Sequence, residues 1–208
     1  MYRNLEAGRM LNSVSLDKLA EEYIRNIYNL MTLIYNSGVV VFDFDGTITE
    51  FKYAKDRLLP CKDDEIDKFI EKGGSLYNDC CINNALRYII EECENTGIPY
   101  FILTQSMGDD LIEDKNKRIF KEFPFISQSH VLHVYTKEQI TGNNYLEKDI
   151  KTYTKTDYLT KIHDMYPNKK IVFVEDNSNN ILKVEEDDSI NQFIVGYHIS
   201  SLLTSRQY

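Results

Sequence analysis

The run Val39-Val40-Val41-Phe42 leads directly into Asp43-Phe44-Asp45-Gly46-Thr47, and no other stretch constrains the fold as tightly. A short apolar, β-branched run bounded by turn residues reads as a strand buried on both faces. Such strands belong to parallel sheets covered by helices. Its carboxyl end carries two carboxylates two positions apart, then Gly-Thr. Open α/β sheets bind ligands at that edge. Two aspartates there meet two needs of phosphoryl chemistry, a nucleophile and a metal ligand. The competing reading is a loop whose aspartates satisfy backbone N–H groups.

The rest of the chain alternates helical and strand patterns. Leu16, Leu19, Ala20, Tyr23, Ile24, Ile27, Tyr28, Met31 and Ile34 recur at helical spacing, predicting a helix from its N-cap Ser15 to Asn36-Ser37-Gly38. Strand one follows, Val39 to Asp43. A helix is expected over 79–95, ended by Thr96-Gly97, then a strand over Pro99–Leu103 that ends at Thr104. A helix over 109–123 and a weaker strand, Val131–Tyr135, precede a polar loop over 136–154. A helix over 156–166 leads to the strand Lys170–Val174, followed by Glu175-Asp176, a short helix near 178–184 and a last strand over 193–195. This alternation predicts an α/β fold, a mostly parallel central sheet flanked by helices on both faces. Residues 50–78 are mixed and polar, with Pro60 and Gly73-Gly74, and read as a small insertion near the site carrying a short helix near 63–72. The 208 residues read as one domain, with 15–36 as an extra N-terminal helix.

Bulk properties narrow the function classes. Hydrophobic residues make up 42% of the chain, so a packed globule is expected rather than disorder. The formal charge of −9 opposes non-specific nucleic-acid binding, which needs Lys and Arg to neutralise phosphates. An anionic substrate stays open, because a metal ion and one or two lysines reverse the local field. Cys61, Cys80, Cys81 and Cys93 show neither a disulfide framework nor zinc-site spacing, which fits a reducing compartment. The first residues lack signal-peptide features and no apolar run reaches membrane-spanning length, so a cytoplasmic location without a membrane segment is expected. Nothing in residues 200–208 marks a natural end, and the chain reads equally as part of something longer.

Four pieces carry the chemistry. Asp43 closes a buried strand, where a carboxylate can form an aspartyl-phosphate once cations activate the phosphorus. Asp45 lies two residues on, and alternation along an extended backbone turns both side chains towards one face. From there it can protonate the leaving oxygen, then take a proton from water. Thr104 ends an apolar strand, where its hydroxyl and the following turn at Gln105 can donate to a phosphate, or cap the next helix. Lys155 stands at a helix start, where cations are disfavoured unless an anion lies beside them, with Lys151 and Lys161 as competitors. Glu175-Asp176 ends a strand and Asn180 lies one turn beyond. Mg2+ prefers oxygen ligands, and Asp43 with Asp176 could clamp it while Glu175 acts through water. An Asx-rich turn is the alternative for this last piece.

The order Asp-x-Asp-Gly-Thr, Thr, Lys, Glu-Asp resembles the haloacid dehalogenase superfamily of phosphohydrolases, over about Val39 to Val195. The resemblance implies that fold, with a small or absent cap. It implies Asp43 as nucleophile and Mg2+ ligand, and Asp45 as general acid/base offering its backbone carbonyl to the metal. Thr104, Gln105 and Lys155 would hold the phosphoryl group, and Asp176 would complete the metal site. Asp45 favours phosphate-ester hydrolysis, since dehalogenases and ion pumps differ there. Glu175 departs from the more common Asp. Overall character also resembles phosphotyrosine phosphatase effectors of intracellular bacterial pathogens, which implies a phosphorylated protein partner and host-cell cytoplasm. Phosphotyrosine would reward an aromatic wall, and Phe44, Phe51 and Tyr53 flank the first motif. A small phosphorylated metabolite is the alternative substrate, and a silent phosphate-binding module the third reading.

Other features read as structural. Cys81 to Arg87 matches the C-x5-R spacing of cysteine-dependent phosphatases, but lacks Gly and follows a helical pattern. His130 and His133 flank a strand with no third metal ligand in view. The first helix reads as core packing rather than a partner groove.

Overall fold

A computed structural model describes residues 16–50, 72, 74–78, 80–106, 108–135 and 153–203. Leu16–Ser37 forms helix α1 and Gly38–Phe42 strand β1. Two short strands, β2 (Thr49–Glu50) and β3 (Cys81–Ile82), pair antiparallel. Helix α2 is Asn84–Thr96, β4 is Tyr100–Ser106, α3 is Asp109–Glu122 and β5 is Val131–Tyr135. Helix α4 is Lys155–Met165, β6 is Lys170–Glu175, α5 is Ser178–Glu185 and β7 is Ile194–His198. Short 3-10 turns, Gln128–His130 and Ile199–Leu202, precede β5 and follow β7.

The main sheet has five strands in the order β5-β4-β1-β6-β7, all parallel. From β1 the chain moves outward through β4 to β5, then returns to the other side of β1 for β6 and β7. The direction reverses between β1 and β6, the switch point at which open α/β sheets of this Rossmann-like kind place their ligand crevice. Both faces are covered, as the alternation predicted. Val40 and Phe42 of β1 pack with Leu30 and Ile34 of α1, Leu86 and Ile90 of α2, and Ile119 of α3. Val39 and Val41, one residue out of step, pack with Leu159 and Ile162 of α4 and Val184 of α5. The α1 helix is therefore core rather than appendage, and Asn26 Nδ2 ties it to the Leu202 carbonyl at 3.2 Å.

Element boundaries differ from expectation where tertiary pairing intervenes. The helix expected over 79–95 starts at Asn84, because Cys81 and Ile82 pair with β2 instead. Asn83 caps it, its Oδ1 accepting from the N–H groups of Ala85 and Leu86. Gly97 closes it with φ 69°. Strand β4 runs past Thr104 to Ser106, because β5 keeps pairing with it to Tyr135. The last strand extends to His198 alongside Glu175. The Ser15 cap, the helix near 63–72 and residues 136–152 of the polar loop lie outside the described residues.

Candidate active site

Residues 112 positions apart meet at the crevice. Lys155 Nζ donates to Asp43 Oδ1 at 2.6 Å and to Glu175 Oε2 at 2.6 Å. Asp43 follows β1 directly, and its own N–H bonds the Val174 carbonyl at 2.8 Å, which sets it level with the end of β6. Lys155 is the first residue of α4. A capping box precedes it: Thr154 Oγ1 accepts from the Asp157 N–H and Asp157 Oδ2 from the Thr154 N–H. The cation at a helix start is thus matched by two carboxylates, the partner that its position demanded. Burial alone would lower the Lys155 pKa, but Asp43 and Glu175 outweigh it and hold the pKa above its ordinary value.

Asp43, Glu175 and Asp176 present carboxylate oxygens within 4.8 Å of one another. Their roles separate by hydrogen bonding. Glu175 is buried; its Oε1 accepts the Asn177 N–H at 3.1 Å, and its Oε2 accepts both Lys155 and Asn180 Nδ2, the latter at 3.1 Å. Asp176 is exposed and folds over Gly46, where a Cβ would come within 2.1 Å of its Oδ2. Burial pushes Asp43 up to about 7, with Glu175 adding to the rise and Lys155 opposing it. Asp176 is raised to about 6 by the partial desolvation of its carboxyl, then by its interaction with Glu175. Lys155 bonds two of the three carboxylates, Asp43 and Glu175, so the ionised cluster carries more negative charge than one ammonium neutralises.

Asp45 belongs to a second constellation. Its Oδ2 accepts from Lys115 Nζ at 2.5 Å and from Thr104 Oγ1 at 3.3 Å, and its Oδ1 from the Tyr77 hydroxyl at 2.8 Å. Lys115 also donates to Thr104 Oγ1 at 2.9 Å and to the Gln105 carbonyl. Burial, then the Asp45 charge, pushes the Tyr77 phenol far above its usual range. Thr104 does not cap α3, whose N-cap is Gly108. It sits on the part of β4 that outruns β1, whose last pairing is Phe42 with Ile102. The Gln105 side chain is exposed, and the residue lies on β4 in register with Val134 rather than in a turn, which corrects that part of the expectation; its carbonyl accepts from Lys115.

Sequence reasoning missed Lys115 and Tyr77. Lys115 falls on the buried face of α3 between Leu111 and Ile119, at i+4 from each, and a lysine in an apolar stripe was the available signal. Tyr77 comes from the end of the 50–78 insertion, most of which lies outside the described residues, as do Phe51, Tyr53 and Lys151. Phe44 is fully buried against Tyr77, so it forms core rather than an aromatic wall. Lys161 stacks over Tyr153, at 3.2 Å from the ring centroid. Cys81 lies on β3, not in a helix, and Arg87 pairs with Glu122 and covers Phe123. Cys80, Cys81 and Cys93 are free thiols. His133 bonds Ser106 Oγ at 2.9 Å and Asn116 Oδ1 at 3.0 Å. No described helix is long and apolar enough to cross a membrane.

No family model matches this chain, and no curated protein matches it. Among solved structures, that of DsGPDH of Dunaliella salina is similar at 12% identity with a TM-score of 0.49. The match covers 86% of this chain and 35% of the other, so this chain spans about a third of the relative's length.

Proposed function

We propose that this chain is a Mg2+-dependent phosphatase of the haloacid dehalogenase type, hydrolysing phosphate monoesters through an aspartyl-phosphate on Asp43. The observation that carries the reading is the 2.6 Å contact of Lys155 Nζ with Asp43 Oδ1. It puts a cation on a buried carboxylate at the sheet's crevice, with a second, separately held carboxylate two residues on. Asp43 attacks phosphorus, forming an O–P bond as the bond to the leaving oxygen breaks. Asp45 gives that oxygen a proton, then takes one from the water that cleaves the acyl phosphate and releases phosphate. Lys155 offsets charge beside Asp43 and the phosphoryl oxygens, and the Thr104 hydroxyl, which donates to Asp45 in the free protein, turns its proton to the phosphoryl group when substrate binds.

The donor set fits a divalent cation. It is all oxygen, it carries excess negative charge, and Gly46 leaves room for Asp176. Asp43 and Asp176 would hold the ion with the Asp45 carbonyl, while Glu175 is committed to Lys155, Asn180 and the Asn177 N–H. Bound there, Mg2+ supplies Lewis-acid polarisation of the phosphoryl group.

The favoured substrate is phosphotyrosine in a protein, in the cytoplasm or in that of a host cell. The deciding experiment compares phosphotyrosine, phosphoserine and phosphorylated-metabolite panels with Mg2+ and with chelator. Chelator-sensitive turnover of phosphotyrosine peptides supports the reading. Preference for a metabolite replaces the substrate class, and no turnover of any ester replaces the enzyme with a phosphate-binding module.

A further inference from the structure

Lys115 is 1% exposed, and each of its three ammonium protons has an acceptor: Asp45 Oδ2, Thr104 Oγ1 and the Gln105 carbonyl. An ammonium donates three bonds and accepts none, so that count is closed and Lys115 has no proton left for a substrate. The Thr104 oxygen accepts from Lys115, and its own proton goes to Asp45 Oδ2 at 3.3 Å. Asp45 is meanwhile gripped at both oxygens, by Lys115 on Oδ2 and by the Tyr77 hydroxyl on Oδ1. Its side chain still remains 32% exposed. A charge buried this deeply is costly unless it is paired, and here every pairing serves the Asp45 side of the crevice.

We propose that Lys115 is a positioning residue for Asp45: it holds the carboxylate in one rotamer with its open edge towards the substrate oxygen. The inference rests on the reading of Asp45 as the proton donor to the leaving group. Lys115 touches no reacting atom. It acts through Asp45, with Tyr77 as the second point of the grip and α3 as the rigid mount.

The test uses the full chain with Mg2+ and reads kcat/KM, which covers the steps through departure of the first leaving group. The substrates are 4-nitrophenyl phosphate, phenyl phosphate and glycerol phosphate. The 4-nitrophenolate leaves without a proton; the other two leaving groups need one. Lys115→Met is expected to lose roughly 100-fold on phenyl and glycerol phosphates and less than about fivefold on 4-nitrophenyl phosphate. Tyr77→Phe keeps the ring against Phe44 and removes only the hydroxyl, so a smaller loss with the same leaving-group pattern is expected. Melting temperature and circular dichroism check folding, and where Lys115→Met does not fold, Tyr77→Phe decides. Equal losses across the series, or none, overturn the inference and leave the phosphatase reading intact. A wild-type chain inactive on every ester removes both.

Discussion

The Asp176 carboxylate occupies the space in which a side chain at Gly46 would begin, with Oδ2 only 2.1 Å from an ideal Cβ. Gly46 also has φ +77°, a conformation that side chains resist. The Gly of the first motif and the Asp of the last are thus two halves of one packing requirement.

Gly46→Ala is therefore expected to act on the site more than on the core. The strained backbone costs about 1–3 kcal/mol. Displacing Asp176 is expected to lower phosphatase turnover roughly 100-fold. Thermal melting and assays at saturating Mg2+ check both, and an active, equally stable variant contradicts the arrangement.

Asp43→Asn and Lys155→Met are expected to separate activity from stability. Asp43→Asn removes a charge that burial and Glu175 already disfavour, and Lys155 keeps Glu175 as partner. Turnover is abolished while the metal-free melting temperature stays level or rises. Lys155→Met strands two buried carboxylates and is expected to cost about 3–5 kcal/mol. Denaturant unfolding of both variants, without metal, measures the contrast.

Mg2+ is expected to raise the melting temperature more as pH rises from 5 to 8. The Asp43 carboxyl is pushed up to about 7 and that of Asp176 to about 6. Without metal, a raised carboxyl favours the folded state at low pH and loses that contribution as pH rises through the folded value. Metal captures the deprotonated forms, so its contribution grows over the same interval. A Mg2+ shift independent of pH contradicts this linkage.

His133 titrates in the opposite sense. Burial, followed by the Lys115 charge, lowers it to about 4, with Asp45 opposing the shift. Between its ordinary value of 6.5 and about 4 the unfolded chain binds a proton that the folded chain refuses. Stability from this group is present above 6.5 and is lost as pH falls through that window. His133→Gln is expected to flatten that part of the melting-temperature profile, and an unchanged slope assigns it to another group.

The legible parts of this fold were those written in local pattern. Val39 to Phe42 read as a buried strand, and the helical spacing that ends at Ile34 pointed to a helix packed on the sheet, although Ile24 and Tyr28 of that stripe face solvent while Leu30, outside it, is fully buried. Asp43, Asp45, Thr104, Lys155 and Asp176 stood out because charge or hydroxyl ended an apolar run or opened a helix. Strand ends at Ser106 and His198 were not legible, because partner strands set them.

By itself the sequence determined the parallel sheet, its covering on both faces and the acidic residues at its edge, since period and polarity are local properties of the chain. Tertiary structure alone decided how those acids divide. Lys155 went to Asp43 and Glu175, Lys115 and Tyr77 went to Asp45, and Asp176 was left over Gly46. The physical reason is that each pairing joins elements remote in sequence, and ions choose partners by distance in space, which only the folded order of strands and helices supplies.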